Sequence, residues 1–237
     1  MLIPGNTHPS WNDFLTMDIR NELKKIEKQI GENFNPTNPA NILRFLTIDL
    51  NNIKVIWLGQ DVYPAKGVAT GRSFEVGGLV SWDQSFRQVS IKNIIRLLHK
   101  NYFGITSYDH IRSFNTIKID INDGIFPIKS PDEWFSSLEK QGVLFLNTSF
   151  TCEIGKANSH KHIWEEFSEQ VVTYISKHRP DVKWFLWGNE AKTTKQYIPK
   201  GVFFESRHPM MCSKKYENDF LKSNCFLLTT DEIDWLG

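Results

Sequence analysis

Cysteine is scarce in this chain. Its three residues, Cys152, Cys212 and Cys225, are too few and too far apart for a disulfide framework or a four-thiolate metal or iron–sulfur centre. They read as free thiols in a reducing compartment. An excess of one charge sign is also lacking. Lysine and arginine total 28 against 27 acids, a formal charge of +1, so no whole-chain imbalance announces a polyanionic partner, and only a local basic patch stays open. No apolar run approaches the roughly 18 residues that span a bilayer. The opening MLIPGNTHPSWND has no basic leader followed by an apolar core. The expectation is a soluble, cytoplasmic protein with no membrane partner, or a nuclear one if its source is a eukaryote or a eukaryotic virus. Internal repeats and low-complexity tracts are absent too.

What is present is an ordinary globular composition. With 40% hydrophobic and 23% charged residues, 237 positions can bury a sizeable core, and one compact domain over residues 1–237 is the simplest organisation. The stretch 55–64 gives the first clue to function. Residues 55–58 read as a short buried strand and Gly59 lets the backbone turn, so Gln60, Asp61 and Tyr63 stand at the rim of a sheet. Open α/β sheets bind ligands at that edge.

Three more apolar runs behave in the same way, at 143–147, 183–187 and 202–205, the first ending in Asn147 and the last running into Arg207-His208-Pro209. Between them lie helical patterns. Leu15, Ile19, Leu23, Ile26 and Ile30 recur at three- and four-residue steps, which predicts an amphipathic helix over 11–30 ended by Gly31. Residues 42–46 read as a short helix. Residues 65–76 form a loop with two glycines and an extended end at 73–76, and Ser90 is placed to cap a helix carrying Ile91, Ile94, Ile95 and Leu98. Residues 102–129 show no sustained period. Ser130-Pro131-Asp132-Glu133 is a helix start with a capping box, and Gly142 ends that helix. Further helices are expected with Trp164, Phe167, Val171 and Ile175 on one face, over 191–197, and over 219–226. Four strands alternating with helices predict an α/β fold, a three-layer αβα arrangement around a central, mostly parallel four-stranded sheet.

That topology gathers Asp61, Asn147 and His208 at one edge. A carboxylate, a two-way hydrogen-bonding amide and an imidazole suit general-base or electrostatic work, recognition of a planar polar group, and stabilisation of charge developing on an oxygen. Each has a plainer reading. An aspartate after a strand often caps a turn, Asn147 can do the same, His208 before a proline can be a surface residue, and Phe74 taken singly is core.

The motifs in series resemble uracil-DNA glycosylase of the family-1 type. Gly59-Gln60-Asp61-Val62-Tyr63-Pro64 resembles the family's GQDPYH motif, Thr70-Gly71-Arg72-Ser73-Phe74-Glu75-Val76 its HGLCFSV-like segment, and Gln141 through Thr148 its QGVLLLN motif. Ala157-Asn158-Ser159-His160-Lys161, Phe185-Leu186-Trp187-Gly188, His208-Pro209 and the terminal Ile233-Asp234-Trp235 follow in order. The resemblance runs through most of the chain and marks it as a divergent member.

The resemblance implies a hydrolase that starts base-excision repair by breaking the N-glycosidic bond of uracil in DNA, leaving an abasic site. It implies base flipping and no metal or other cofactor. Asp61 and His208 would be catalytic, and Gln60, Tyr63, Phe74 and Asn147 would bind uracil. Ser90, Ser159, His160, Met210, Met211, Cys212, Ser213 and Lys214 would meet DNA, single- or double-stranded. A monomer is expected, with a protein inhibitor among its partners. Val62 and Pro64 depart from GQDPYH, and Met210, Met211 and Cys212 depart from the HPSPLS loop, whose intercalating leucine corresponds to Cys212. Those departures sustain one alternative, a catalytically weak or inactive DNA-binding or processivity subunit on the same fold; a glycosylase for another damaged base is a third reading, against which the retention of Tyr63, Phe74 and Asn147 favours uracil.

Overall fold

The computed structural model describes residues 2–237. Four parallel strands, β2 (Val55–Gly59), β3 (Val143–Asn147), β5 (Lys183–Trp187) and β6 (Val202–Ser206), lie in the order β3-β2-β5-β6. A separate two-residue antiparallel ribbon joins β1 (Phe34–Asn35) to β4 (Cys152–Glu153). The helices are α1 (Met17–Ile30), α2 (Val89–Tyr102), α3 (Phe114–Asn122), α4 (Pro131–Gln141), α5 (Lys161–His178) and α6 (Asn189–Thr193).

The period of two in each strand sorts the core into two layers. Ile56, Leu58, Leu144, Leu146, Trp184 and Leu186 pack with Ile19, Leu23 and Ile26 of α1 and Trp164, Phe167 and Val171 of α5. Val55, Trp57, Val143, Phe145, Phe185 and Trp187 point the other way, onto Ile91, Ile94 and Ile95 of α2, Trp134 and Leu138 of α4, and the C-terminal Phe226 and Trp235. Burial on both faces explains why the strands read as continuous apolar runs. It also makes the sandwich the expected three-layer αβα fold. The edge strand β6 is more exposed and carries Lys195 over the Phe203 ring at 4.6 Å.

The local signals fare unevenly. Gly31 closes α1 with φ 70°, but the helix begins at Met17 behind Thr16, whose hydroxyl accepts from the Ile19 N–H. Residues 9–11 form a separate 3₁₀ turn started by Pro9. Gly142 ends α4 in the left-handed region at φ 109°, where an added methyl would meet the Asn52 carbonyl oxygen at 2.4 Å. Ser130 occupies the cap position of that helix but its hydroxyl accepts no helix N–H; it donates instead to the Glu133 carboxylate at 2.9 Å, so the expected capping box does not form. Ser90 is not a cap: it is the second residue of α2, and Gln88 occupies the cap position. Residues 73–76 form no strand: Ser73 and Phe74 lie in a turn, with Phe74 at φ 65°. Residues 219–226 hold only a 3₁₀ turn, Phe220–Lys222. The unreadable span 102–129 contains α3, which Ser113 caps by accepting from the Thr116 N–H.

Candidate active site

The carboxyl edge of the sheet is built around a close approach that glycine permits. Gly59 ends β2 directly opposite Asn147 at the end of β3. A methyl group on Gly59 would lie 2.3 Å from Asn147 Oδ1 and 2.8 Å from Ser73 Cβ. Beyond the strands, the Thr148 N–H donates to the Gly59 carbonyl at 3.0 Å and the Ser149 N–H to the Gln60 carbonyl at 2.9 Å, so the loops after β2 and β3 are hydrogen-bonded to each other. Asn147 is only 4% exposed, and its Oδ1 is buried with no hydrogen-bond partner. A desolvated acceptor left unpaired costs about 1–3 kcal/mol. A ligand N–H would recover it.

Asp61 stands on the same loop. Its Oδ2 accepts the Asn158 backbone N–H at 2.5 Å, while its Oδ1 is buried and unpartnered. Burial raises its pKa, and the Asn158 N–H opposes that rise. Asn158 sits in the left-handed region at φ 61°, on a loop closed by Ser159, which accepts from the Glu153 N–H at 2.7 Å and donates to the Lys156 carbonyl at 2.9 Å. His160 is buried, its Nδ1 2.8 Å from the Thr151 hydroxyl, which also accepts from Trp164 Nε1 at 2.7 Å. Both residues therefore build the loop that delivers Asn158 to Asp61.

Residues 62–65 are held from below. Val62 is buried and its carbonyl accepts from the Cys152 thiol. The Pro64 carbonyl accepts from Asn35 Nδ2 at 2.8 Å and from the Gly155 N–H at 2.9 Å, and the same Asn35 amide reaches the Ala65 carbonyl at 3.1 Å. Tyr63 donates its hydroxyl to the Phe74 carbonyl at 3.4 Å, and burial raises its phenol pKa. The Phe74 ring lies 5.6 Å from Trp187 and 6.1 Å from the His208 ring.

The His208 ring has an assigned polarity. Its Nδ1 accepts the Met210 backbone N–H at 3.1 Å, so in the neutral ring the proton sits on Nε2. Burial lowers its pKa, which favours that neutral form. Gly188 lies beneath the ring, where an added methyl would be 3.0 Å from His208 Cβ and 3.2 Å from Cδ2. Asn93 of α2 supports the loop by donating Nδ2 to the Pro209 carbonyl at 2.6 Å, and Arg96 in turn donates to Asn93 Oδ1 at 2.9 Å.

Asp61, Gln60, Tyr63, Phe74, Asn147 and His208 thus share one edge. Ser90 lies half-buried in the first turn of α2. Met210 and Met211 are 56% and 54% exposed on a 3₁₀ turn, whereas Cys212 packs inward, donates its thiol to the Pro209 carbonyl at 3.2 Å, and has its pKa pushed up to about 12 by burial. The two methionines are the apolar residues this loop presents. The Ser213 N–H is taken by Asp219 at 2.5 Å, and Lys214 pairs with Asp109.

Sequence reasoning missed Arg207. Its guanidinium lies 3.7 Å from the centroid of Tyr216, with Lys215 4.9 Å over the same ring. Among the described residues neither cation has an acidic partner within 4.0 Å, so one ring holds two unneutralised charges beside His208. Their separation in sequence hides this patch. Also among the described residues, no group of His, Cys, Asp and Glu could hold a metal ion, and no helix is long and apolar enough to cross a membrane.

No family model matches the chain. The uracil-DNA glycosylase of Francisella philomiragia is 34% identical over 243 residues, covering 95% of this chain and 99% of that protein. The uracil-DNA glycosylase of Clostridium beijerinckii is 33% identical over 195 residues, covering 78% and 74%. Among solved structures, a mimivirus UNG variant in complex with UGI superposes with a TM-score of 0.62 at 21% identity, covering 85% of this chain and 70% of that one. The structural likeness supports the fold.

Proposed function

The chain belongs to the uracil-DNA glycosylase family, which makes it a hydrolase, and we propose that it is a family-1-type enzyme excising uracil from DNA by base flipping. The observation that carries this reading is the Asn147 amide, with its buried, unpartnered Oδ1. Uracil offers an N3–H donor beside an O4 acceptor, which an amide matches with its oxygen and its NH₂. Cytosine reverses the pattern and leaves buried polar groups unpaired. Phe74 stacks on the base, Gln60 contributes polar and backbone contacts beside it, and Tyr63 crowds C5 so that a thymine methyl clashes.

Breaking the glycosidic bond leaves positive charge on the sugar and negative charge on uracil. Asp61 orients the attacking water and stabilises the sugar side, while His208 Nε2–H donates to uracil O2 as charge develops there. Incubating the protein with uracil-containing single- and double-stranded oligonucleotides, then cleaving abasic sites with alkali, tests the whole reading. Strand scission that depends on uracil supports it. Tight, uracil-independent DNA binding with no scission would establish the processivity-subunit alternative instead.

Asn147→Asp supplies a narrower test. A carboxylate opposite O4 loses the donor that uracil needs and gains an acceptor for the cytosine amine. The substitution should lower uracil kcat/KM by about 10- to 100-fold, the range of an unpaired buried polar group, and make cytosine excision detectable. Unchanged uracil kinetics would remove the amide assignment.

We also propose that DNA lies across the His208 loop, with Met210 and Met211 as the apolar wedge and Ser213 and Lys214 beside the backbone. The cations on Tyr216 face phosphate there. Arg207→Gln should weaken binding to all sequences alike and reduce the slope of log affinity against log salt by about one contact, roughly 0.7–0.9. A salt titration by fluorescence anisotropy reads this directly, and an unchanged slope would take Arg207 off the DNA path. A monomeric chain able to bind a protein inhibitor completes the proposal.

A further inference from the structure

The loop that carries Phe74 is fastened by ionic groups unlike anything in the motif it resembles. Where the HGLCFSV-like pattern has leucine and serine, this chain has Arg72 and Glu75, flanking Ser73 and Phe74. The two are paired: Arg72 donates through one terminal nitrogen to Glu75 Oε1 at 2.8 Å, closing a bridge across the Phe74 backbone. The rest of the guanidinium is bidentate on Glu139 of α4, with Nε at 2.9 Å and the second terminal nitrogen at 2.6 Å. Arg44 reaches the same Glu139 carboxylate at 3.3 and 3.0 Å. The side chains of Arg72, Glu75 and Glu139 are 9%, 11% and 13% exposed. Two cations and two anions thus form a neutral cluster, nearly buried except at Arg44, which is 30% exposed. Burial alone would raise the Glu139 pKa, but its bonds to Arg72 and Arg44 bring it below the ordinary carboxylate value, so the cluster stays ionised.

Phe74 needs such a fastening. It holds φ 65°, a region costly for a residue with a side chain, and such conformations persist only where surroundings impose them. On either side of it, Ser73 donates its hydroxyl to the Trp57 carbonyl of β2 at 2.9 Å, and Tyr63 donates to the Phe74 carbonyl. Gly71, at φ 86°, lies so close to the Asn41 carbonyl that a methyl there would approach to 2.1 Å. These contacts fix the loop ends. The Arg72–Glu75 bridge spans the strained residue itself.

We propose that Arg72, braced by Glu139 and closed on Glu75, is a positioning residue that sets the Phe74 ring at the angle needed to stack on the flipped base. The inference rests on the reading of Phe74 as the stacking residue. It assigns the two charged departures from the motif a shared task, one that the leucine and serine of the motif cannot perform through an ion pair.

A double-mutant cycle tests it. Phe74→Ala should lower kcat/KM on uracil-DNA and raise the inhibition constant of free uracil by about 5- to 150-fold, the span of base stacking. Arg72→Met should reproduce part of that loss, about 5- to 20-fold within the same span, while affinity for uracil-free DNA stays unchanged. Placed on Phe74→Ala, Arg72→Met should add less than about 2-fold, because the ring it positions is gone. Full multiplication of the two effects, or an Arg72→Met enzyme with unaltered uracil inhibition, overturns the positioning role. If Phe74→Ala itself leaves both quantities unchanged, the stacking reading fails and this inference with it. Should Arg72→Met fold poorly, Glu75→Ala removes the acceptor and cuts the bridge while leaving the Glu139 pair, and the same non-additivity with Phe74→Ala decides the matter.

Discussion

Asp61→Asn should reduce single-turnover excision by about 10²- to 10⁴-fold, the range a positioned general base supplies, while leaving affinity for uracil-containing DNA nearly intact. The geometry separates these two effects. Asp61 Oδ2 is fixed by the Asn158 N–H, an interaction an amide oxygen can keep, so the loop retains its shape. What the substitution removes is the negative charge and the acceptor capacity of the buried Oδ1, in a carboxylate whose charged form the Asn158 and Val62 N–H groups and the Ser149 hydroxyl favour against burial. Rapid-quench measurement of abasic-site formation, alongside binding, distinguishes a chemical loss from a binding loss. A variant within about 5-fold of the parent would exclude Asp61 from the chemical step. The pH profile follows from the same burial. Because desolvation raises the Asp61 pKa, its ionised, active form is lost as pH falls through that raised value, and the acid limb of kcat/KM lies above the ordinary carboxylate position.

That much of the site can be read from the sequence because strands buried on both faces are legible as apolar runs, and their abrupt polar ends point to a sheet edge. Asn147 follows Leu144 and Leu146, and Asp61 follows Ile56 and Leu58, in segments where nothing competes with the period. The supports were hidden for a physical reason. Asn35 lies 28 residues before Tyr63 in a Pro- and Asn-rich stretch with no apolar period, yet it is fully buried and its amide serves three carbonyls of residues 63–65. Nothing local marks such an amide. Asn93 and Arg96 are similarly camouflaged, as polar positions on an amphipathic helix that happen to face the Pro209 carbonyl. The span 102–129 concealed α3 because its buried face includes Asp120, which is paired with His99 at 2.9 Å and Arg112 at 2.6 Å and breaks the apolar pattern.

The departures at Val62 and Pro64 take on a different weight in this light. Both residues serve the loop through their carbonyls, with the Val62 side chain in the core and the Pro64 oxygen bound by Asn35 and Gly155. Proline has no N–H to offer, and none is called on here. A buried asparagine on β1, Asn35, holds the carbonyls at the end of this loop. Asp61 and Tyr63 therefore keep their places although the residues between and after them changed.

His208→Leu should lower kcat by about 10²- to 10³-fold, the usual effect of losing one donor aimed at a developing oxyanion. Leucine keeps bulk over Gly188 while removing both ring nitrogens. The direction of the donor is already set, since the Met210 N–H occupies Nδ1 and leaves the Nε2 proton free to donate, on the proposed reading to uracil O2. A neutral donor also explains why burial is tolerated at this position: it depresses the His208 pKa below its ordinary 6.5, so the imidazole remains uncharged through the neutral range. The linkage has a definite sign. With the folded pKa lower than the unfolded one, the unfolded chain takes up the proton first as pH drops, so this contribution to stability is complete above the unfolded pKa and is lost as pH falls through the folded value. Parent protein should therefore lose thermal stability between pH 7 and 5 more steeply than His208→Leu, even though the variant has lost most of its rate. Parallel melting curves with a stopped assay on the same samples read both effects. Equal pH slopes would mean the ring is not buried in its neutral form, and a rate within about 5-fold of the parent would remove His208 from the leaving-group side of the reaction.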